Sequence, residues 1–335
     1  MKMQGVVLFA VLVTVRVVFA RENPQGGDRP WTVMNLDGNY YQNVYRDEDM
    51  TVEAIERSTD EYLEGPVTHL FIGPQGMRSM YPSKVLEPIW DVSEKDHPDF
   101  WKIGWVRRAK MLNDKGIDLY DVVLKRARSH VGVEGWITMR MNDIHGVENE
   151  NGPMPSDWWR RRPDLWRVPN DKSRQYPPRA FDYAHKEVRD HYLAVARELF
   201  ERYDMDGFDA DWTRFPWYLT PGKEKELACL LTDCMREIRR MANEFAAKRG
   251  HPIRVSATVL SSPEANARVG TDPVRWAKEG LVDALFFANF FFEVDFATPY
   301  SEWKRLVGAA NPKVRLCARV DQGVVKNGSR RDFLR

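Results

Sequence analysis

Short strand-like runs alternate with helix-like segments along nearly the whole chain, and that alternation limits what it can fold into. The strand-like runs are residues 31–36, 67–72, 135–141, a run inside 203–216, then 253–260, 282–287 and 314–320. Between them, helical spacing is clear. Val188, Tyr192, Val195, Ala196, Leu199 and Phe200 share one face, and Leu227, Leu230, Leu231, Cys234, Ile238, Met241 and Phe245 share another, which Gly250 ends. Parallel neighbours need a crossover of a dozen residues or more, which is what a helix between strands supplies. At 335 residues the chain has room for one α/β barrel. The expected fold class is a TIM (β/α)8 barrel, a single domain over residues 21–335. Seven strands are legible and no apolar strand follows residue 320, so the barrel is expected to be incomplete or irregular at its C-terminal end.

The run inside 203–216 reads Tyr-Asp-Met-Asp-Gly-Phe-Asp-Ala-Asp-Trp-Thr-Arg-Phe-Pro. Carboxylates in a buried strand are costly unless they are paired or used. Side chains alternate along a strand, so Asp209, Asp211 and Thr213 point to one side. The C-terminal end of a barrel strand is where such enzymes keep their catalytic groups.

Those residues carry a resemblance. Asp-Gly-Phe-Asp-Ala-Asp-Trp resembles the fourth-strand motif of two sugar-cleaving barrel groups, DGxDxDxE in chitinase-type enzymes and DGFRxD in α-amylase-type enzymes. Thr213 stands where the first group has its proton-donating Glu, and Asp209 where the second has Arg. Tyr203, Asp204, Asp206, Gly207, Asp211, Arg214 and Pro216 are similar to the segment YDxDGxxxDxxRxP of bacterial glycosyl-hydrolase-like barrels. The lead-in over residues 181–190 is also similar, and the resemblance extends over about 31–321. It implies a glycosidic-bond-cleaving barrel with Asp211 as a catalytic carboxylate. Asp206 reads as a capping or hydrogen-bonding acid.

Glycoside cleavage needs two carboxyl groups flanking the scissile bond. Asp209, Asp143 and Glu264 are the candidates for the second, with Glu293, Asp295 and Asp321 behind them. Asp143 belongs to Arg140-Met141-Asn142-Asp143-Ile144-His145, which follows the third strand and gathers a guanidinium, an amide, a carboxylate and an imidazole. Arg140, Asn142 and His145 are read as substrate-binding, together with Trp212 and Arg214 at the exit of the fourth strand. The chain has twelve tryptophans, whose flat apolar faces can stack on sugar rings. Trp158, Trp159 and Trp166 lie among Arg160, Arg161, Arg162 and Arg167 in a long loop, 146–179. That pattern reads as a wall for a sugar, with arginines suited to an anionic one. The other reading is a solvated loop packed on the barrel rim.

A net charge of +1 gives no electrostatic reason to bind nucleic acid. The N-terminus has Lys2, an apolar run and Val18-Phe19-Ala20, which reads as a secretory signal over residues 1–20. The run is too short to span a membrane, so the expected location is secreted or periplasmic. Cys229, Cys234 and Cys317 have neither disulfide-framework nor zinc spacing. No HExxH, phosphate loop or GxSxG is present, and no metal or cofactor is expected. The expected partner is a carbohydrate. The alternatives are a catalytically silent carbohydrate-binding barrel, and a lyase with His145 as base and Arg140 neutralising a uronate.

Overall fold

The computed structural model describes residues 13–17, 30–173, 175–288 and 298–319. Its strands form one sheet in sequence order: β1 Val13–Val17, β2 Thr32–Leu36, β3 His69–Ile72, β4 Glu134–Arg140, β5 Gly207–Asp211, β6 Arg254–Leu260, β7 Ala284–Ala288 and β8 Arg315–Ala318. All neighbours from β2 to β8 are parallel, and β1 lies antiparallel beside β2. The seven parallel strands are the seven read from the sequence. A closed (β/α)8 barrel is not formed by the described residues, which build an incomplete one. β1 falls inside the apolar run read as a secretory signal. The rest of that run lies outside the described residues.

The sheet is strongly rolled. Phe71 on β3 and Phe286 on β7 have ring centroids 5.4 Å apart, with three strands between theirs in the sheet. Four steps across a flat sheet would part them by about 19 Å. The Arg315 guanidinium of β8 sits 5.0 Å from the ring of Trp31, just before β2, so side chains meet across the seam.

Alternation along each strand sorts residues into two cores. Leu70, Ile72, Ile137, Met139, Phe208 and Ala210 face outward, into the apolar layer shared with the helices. Trp31, Val33, Phe71, Trp136, Phe286 and Cys317 face inward and fill the base of the barrel. Trp136 stacks on Phe71 at 4.8 Å and lies beside Gly207 on β5. A Cβ at 207 would come within 2.3 Å of the indole, so the glycine of the central motif is required by packing.

The helices follow their sequence signals. Thr51 caps Val52–Leu63 by accepting from the Ala54 amide, and Asp272 caps Pro273–Lys278. Lys186–Arg202 and Glu224–Arg249 pack against each other, and Gly250 ends the second at φ 76°. Residues 98–114 form two helices, Pro98–Lys102 and Trp105–Asp114, broken at Gly104 with φ 92°. One expectation needs correction. The loop 146–179 has structure of its own: helices Asp157–Arg161 and Tyr176–Arg179 and a 3-10 turn, Pro163–Leu165. Among the described residues no helix is long and apolar enough to cross a membrane.

Candidate active site

Above the aromatic base the inner lining turns from apolar to hydroxyl-bearing to charged. Asp209 pairs in register with Thr138 on β4 and Ser256 on β6. It is fully buried, and it accepts from Thr138 Oγ1 at 2.8 Å, Ser256 Oγ at 2.7 Å and Thr258 Oγ1 at 3.0 Å. Three hydroxyls supply the donors that a buried carboxylate needs. That ring makes Asp209 the floor of the site.

One inward step nearer the C-terminal end stands Asp211, with its side chain 9% exposed. Its Oδ1 accepts from the Thr213 amide at 2.9 Å and the Thr213 hydroxyl at 2.6 Å. Its Oδ2 lies 3.6 Å from Nη1 of Arg319, just past β8.

Beside it, Arg140 at the end of β4 bridges two carboxylates. Nη1 donates to Asp143 Oδ2 at 2.7 Å, and Nη2 to Asp37 Oδ1 at 2.6 Å. Gln75 extends the β3–β4 pairing by donating to the Arg140 carbonyl at 3.0 Å and accepting from its amide at 3.3 Å. Asp143 Oδ1 in turn accepts from the His145 amide at 3.0 Å and lies 2.7 Å from Nδ1 of its ring. The far nitrogen, Nε2, is 3.1 Å from Arg214 Nη2. A guanidinium can only donate, so Nε2 accepts, and the network assigns the ring proton to Nδ1, facing Asp143. Phe215, packed edge-on against His145 at 4.7 Å, has φ 55°, a strained conformation for a bulky residue.

Burial alone would raise the Asp143 carboxyl, but His145, Arg140 and Arg214 around it prevail and hold it well below the ordinary carboxylate range. Asp37 is also held low: Arg140, Arg214 and the Gly38 amide outweigh burial. Burial, helped by Arg140, pushes Arg214 down to about 10. Both aspartates therefore stay ionised at neutral pH.

Because the folded pKa of Asp143 is depressed, its stabilisation is present above the ordinary carboxylate value and is lost as pH falls below it. Asp143→Asn is expected to cost about 2–3 kcal/mol at neutral pH, from hydrogen bonds made to a charged group. That gap should stay level between about pH 5 and 8 and shrink below about pH 4. Urea unfolding of both proteins across this range measures it. A gap unchanged at acid pH would contradict the ion-paired state.

Other residues singled out in the sequence have different placements. Trp212 is fully buried on the outward face, with its ring 5.0 Å from Tyr218 and 5.7 Å from Trp276. It presents no face to a ligand, and strand alternation already sets it opposite Asp211. Asn142 is fully buried, donating to the Trp217 carbonyl at 2.8 Å and accepting from Tyr192 at 3.3 Å. Glu264 is exposed in the first turn of helix Pro263–Val269, where the helix dipole favours a carboxylate.

Trp159 is fully buried and stacks on Trp166 at 4.4 Å. The buried Arg179 guanidinium lies 4.8 Å from the Trp166 ring and also binds the Val147 carbonyl and Glu150. Arg160, Arg162 and Arg167 bond within the loop or to its neighbours, so most of this stretch is scaffold. Trp158 is half-buried and stacks on His191 at 3.9 Å. It lines a small crevice with Gln75, Gly76, Met77 and Tyr192. Gly76 also backs onto Asp143, since a Cβ there would lie 3.2 Å from Oδ2. The crevice is thus a neighbour of the charged mouth.

Asp206 lies at the opposite end, accepting from the Gly135 amide at 2.9 Å and paired with Arg128. Glu293, Asp295 and Asp321 lie outside the described residues. Sequence reasoning missed Asp37, Gln75 and Arg319. Asp37 sits in Asp-Gly-Asn, which reads as a turn, and Arg319 lies inside the strand-like run 314–320.

No protein-family model matches the chain, and no curated relative does. Among solved structures it is similar to the PgaB (BpsB) glycoside hydrolase domain from Bordetella bronchiseptica. Identity is 11% and the TM-score 0.50, with 83% of this chain and 79% of that one covered. Weaker likenesses are a glycoside hydrolase family 18 N-acetylglucosaminidase from Paenibacillus barengoltzii and a cycloisomaltooligosaccharide glucanotransferase from a Paenibacillus species. The first has 8% identity and a TM-score of 0.41, covering 85% of this chain and 66% of that one. The second has 10% and 0.48, covering 81% of this chain and 36% of that one. At such identities the likeness speaks to fold alone, an α/β barrel of the kind seen in that glycoside hydrolase domain.

Proposed function

We propose that the chain hydrolyses glycosidic bonds in a poly- or oligosaccharide at the C-terminal mouth of its barrel, with Asp211 as nucleophile or base. The carrying observation is the placement of Asp211. It is the inward carboxylate at the C-terminal end of β5, nearly buried and held by Thr213 above the hydroxyl-ringed Asp209. A carboxylate fixed this way is preorganised for attack at a sugar carbon or for activating water. Asp143 and Asp37 stay ionised, so neither suits the proton donor, and in this reading Asp143 orients His145. The leaving oxygen takes its proton from a partner carboxyl among the other candidates, Glu264, Glu293, Asp295 or Asp321. Arg214 and His145 bind substrate beside it. The N-terminal apolar run is the export signal that would bring the enzyme to extracellular glycans.

A lyase would need Arg140 to neutralise a uronate. Both Nη atoms of Arg140 are engaged with Asp37 and Asp143, which favours hydrolysis. The test is incubation with a panel of neutral and anionic polysaccharides, following reducing ends and ultraviolet absorbance together. New reducing ends without absorbance are expected. Unsaturated, absorbing products would replace the reading by a lyase, and binding without cleavage would replace it by a silent barrel.

A further inference from the structure

We propose that Arg319 is a positioning residue for Asp211, fixing its carboxylate in the ionised form and in one orientation from across the barrel. The inference deepens the hydrolase reading and rests on the role given there to Asp211. Arg319 arrives by regular geometry: its amide donates to the Phe287 carbonyl at 3.0 Å, which continues β8 along β7. Arg315 and Cys317 precede it at inward positions, so alternation sends its side chain inside as well. There Nη1 lies 3.6 Å from Asp211 Oδ2, with the two side chains 11% and 9% exposed.

Thr213 engages the other oxygen, so the carboxylate is held from two sides. Arg140, Arg214 and Tyr218 also face Asp211 electrostatically. Arg140 bonds directly to Asp37 and Asp143, and Arg214 to His145, whereas Arg319 is set directly against Oδ2. A cation this close, little screened by solvent, favours the charged carboxylate and opposes its rotation.

Arg319→Gln removes the charge, and Arg319→Lys keeps it without the planar fork. In Arg319→Gln the acid limb of kcat/KM is expected to move up by about one pH unit or more, as loss of a cation within 4–6 Å implies. The loss should fall on kcat more than on KM, and Arg319→Lys should restore most of the acid limb. A readout without substrate is carbon-13 NMR of labelled aspartate, with the Asp211 carboxyl assigned by its absence in Asp211→Asn. Its titration midpoint should rise in the Gln variant, or in Arg319→Met if the Gln variant does not fold. An unmoved midpoint in a folded variant overturns the proposal, whatever the activity. A moved midpoint in a protein that cleaves no glycan supports the pairing and overturns the hydrolase reading instead.

Discussion

Asp211→Asn is expected to fold as the parent does and to lose hydrolysis by on the order of 10³-fold or more in kcat, with KM little changed. Asn keeps an acceptor oxygen for the Thr213 amide and hydroxyl, so the local turn survives. What disappears is the negative charge beside Arg319 and near Arg140 and Arg214. A neutral amide can neither attack an anomeric carbon nor take a proton from water, and these are the two roles open to this carboxylate. Substrate contacts made by neighbouring groups remain, which is why the loss should fall on turnover. Steady-state kinetics on the polysaccharide found to be cleaved, with circular dichroism as the control for folding, decides it. Activity within tenfold of the parent would remove Asp211 from the chemistry and shift attention to carboxyls elsewhere on the rim.

Arg140→Met is the second large effect, and it is on stability. Methionine fills much of the same volume but leaves Asp143, 3% exposed, and Asp37, 20% exposed, without the cation that bridges them. Removing one partner of a buried pair is far more harmful than replacing both, because the other charge stays desolvated and uncompensated. The expected cost is about 3–5 kcal/mol. His145 and Arg214 still face Asp143, so a value at the lower end of that range is anticipated. Arg140→Lys should recover only part of it, since an ammonium lacks the fork that reaches two carboxylates at once. Equilibrium denaturation of the three proteins measures both claims. A loss below about 1 kcal/mol for Arg140→Met would mean that the bridge is solvated and worth no more than a surface pair.

The elements were readable because their signals are local. The 3.6-residue spacing at Val188 to Phe200 and the Gly250 stop belong to their own segments, and both appear as expected. The parity of Asp209 and Asp211 was equally local and placed both inside the barrel. Trp212 shows that rule applied incompletely: the alternation that turns Asp211 inward turns its neighbour into the helix layer. What sequence could not show was partnership across the fold. Asp37, Arg140, Asp143 and Arg214 are separated by up to 177 positions, and their pairing exists only once the sheet has rolled. The division of labour between Asp209 and Asp211 was hidden for the same reason, since Thr138 and Ser256 come from the flanking strands. The tryptophan-arginine loop left two readings open because composition alone does not tell an aromatic wall from an aromatic scaffold. Its centre, Arg179 against Trp166, is an internal clamp.

The packed indoles at the base give the barrel a direction. Trp31 and Trp136 fill one end, and the charged cluster of Asp37, Arg140, Asp143 and Asp211 stands at the opposite rim. In the proposed hydrolase, a spent product would leave by the same rim through which the next chain enters. A tight-fitting glycan fragment would then slow its own maker, and turnover would be governed as much by departure as by bond breaking.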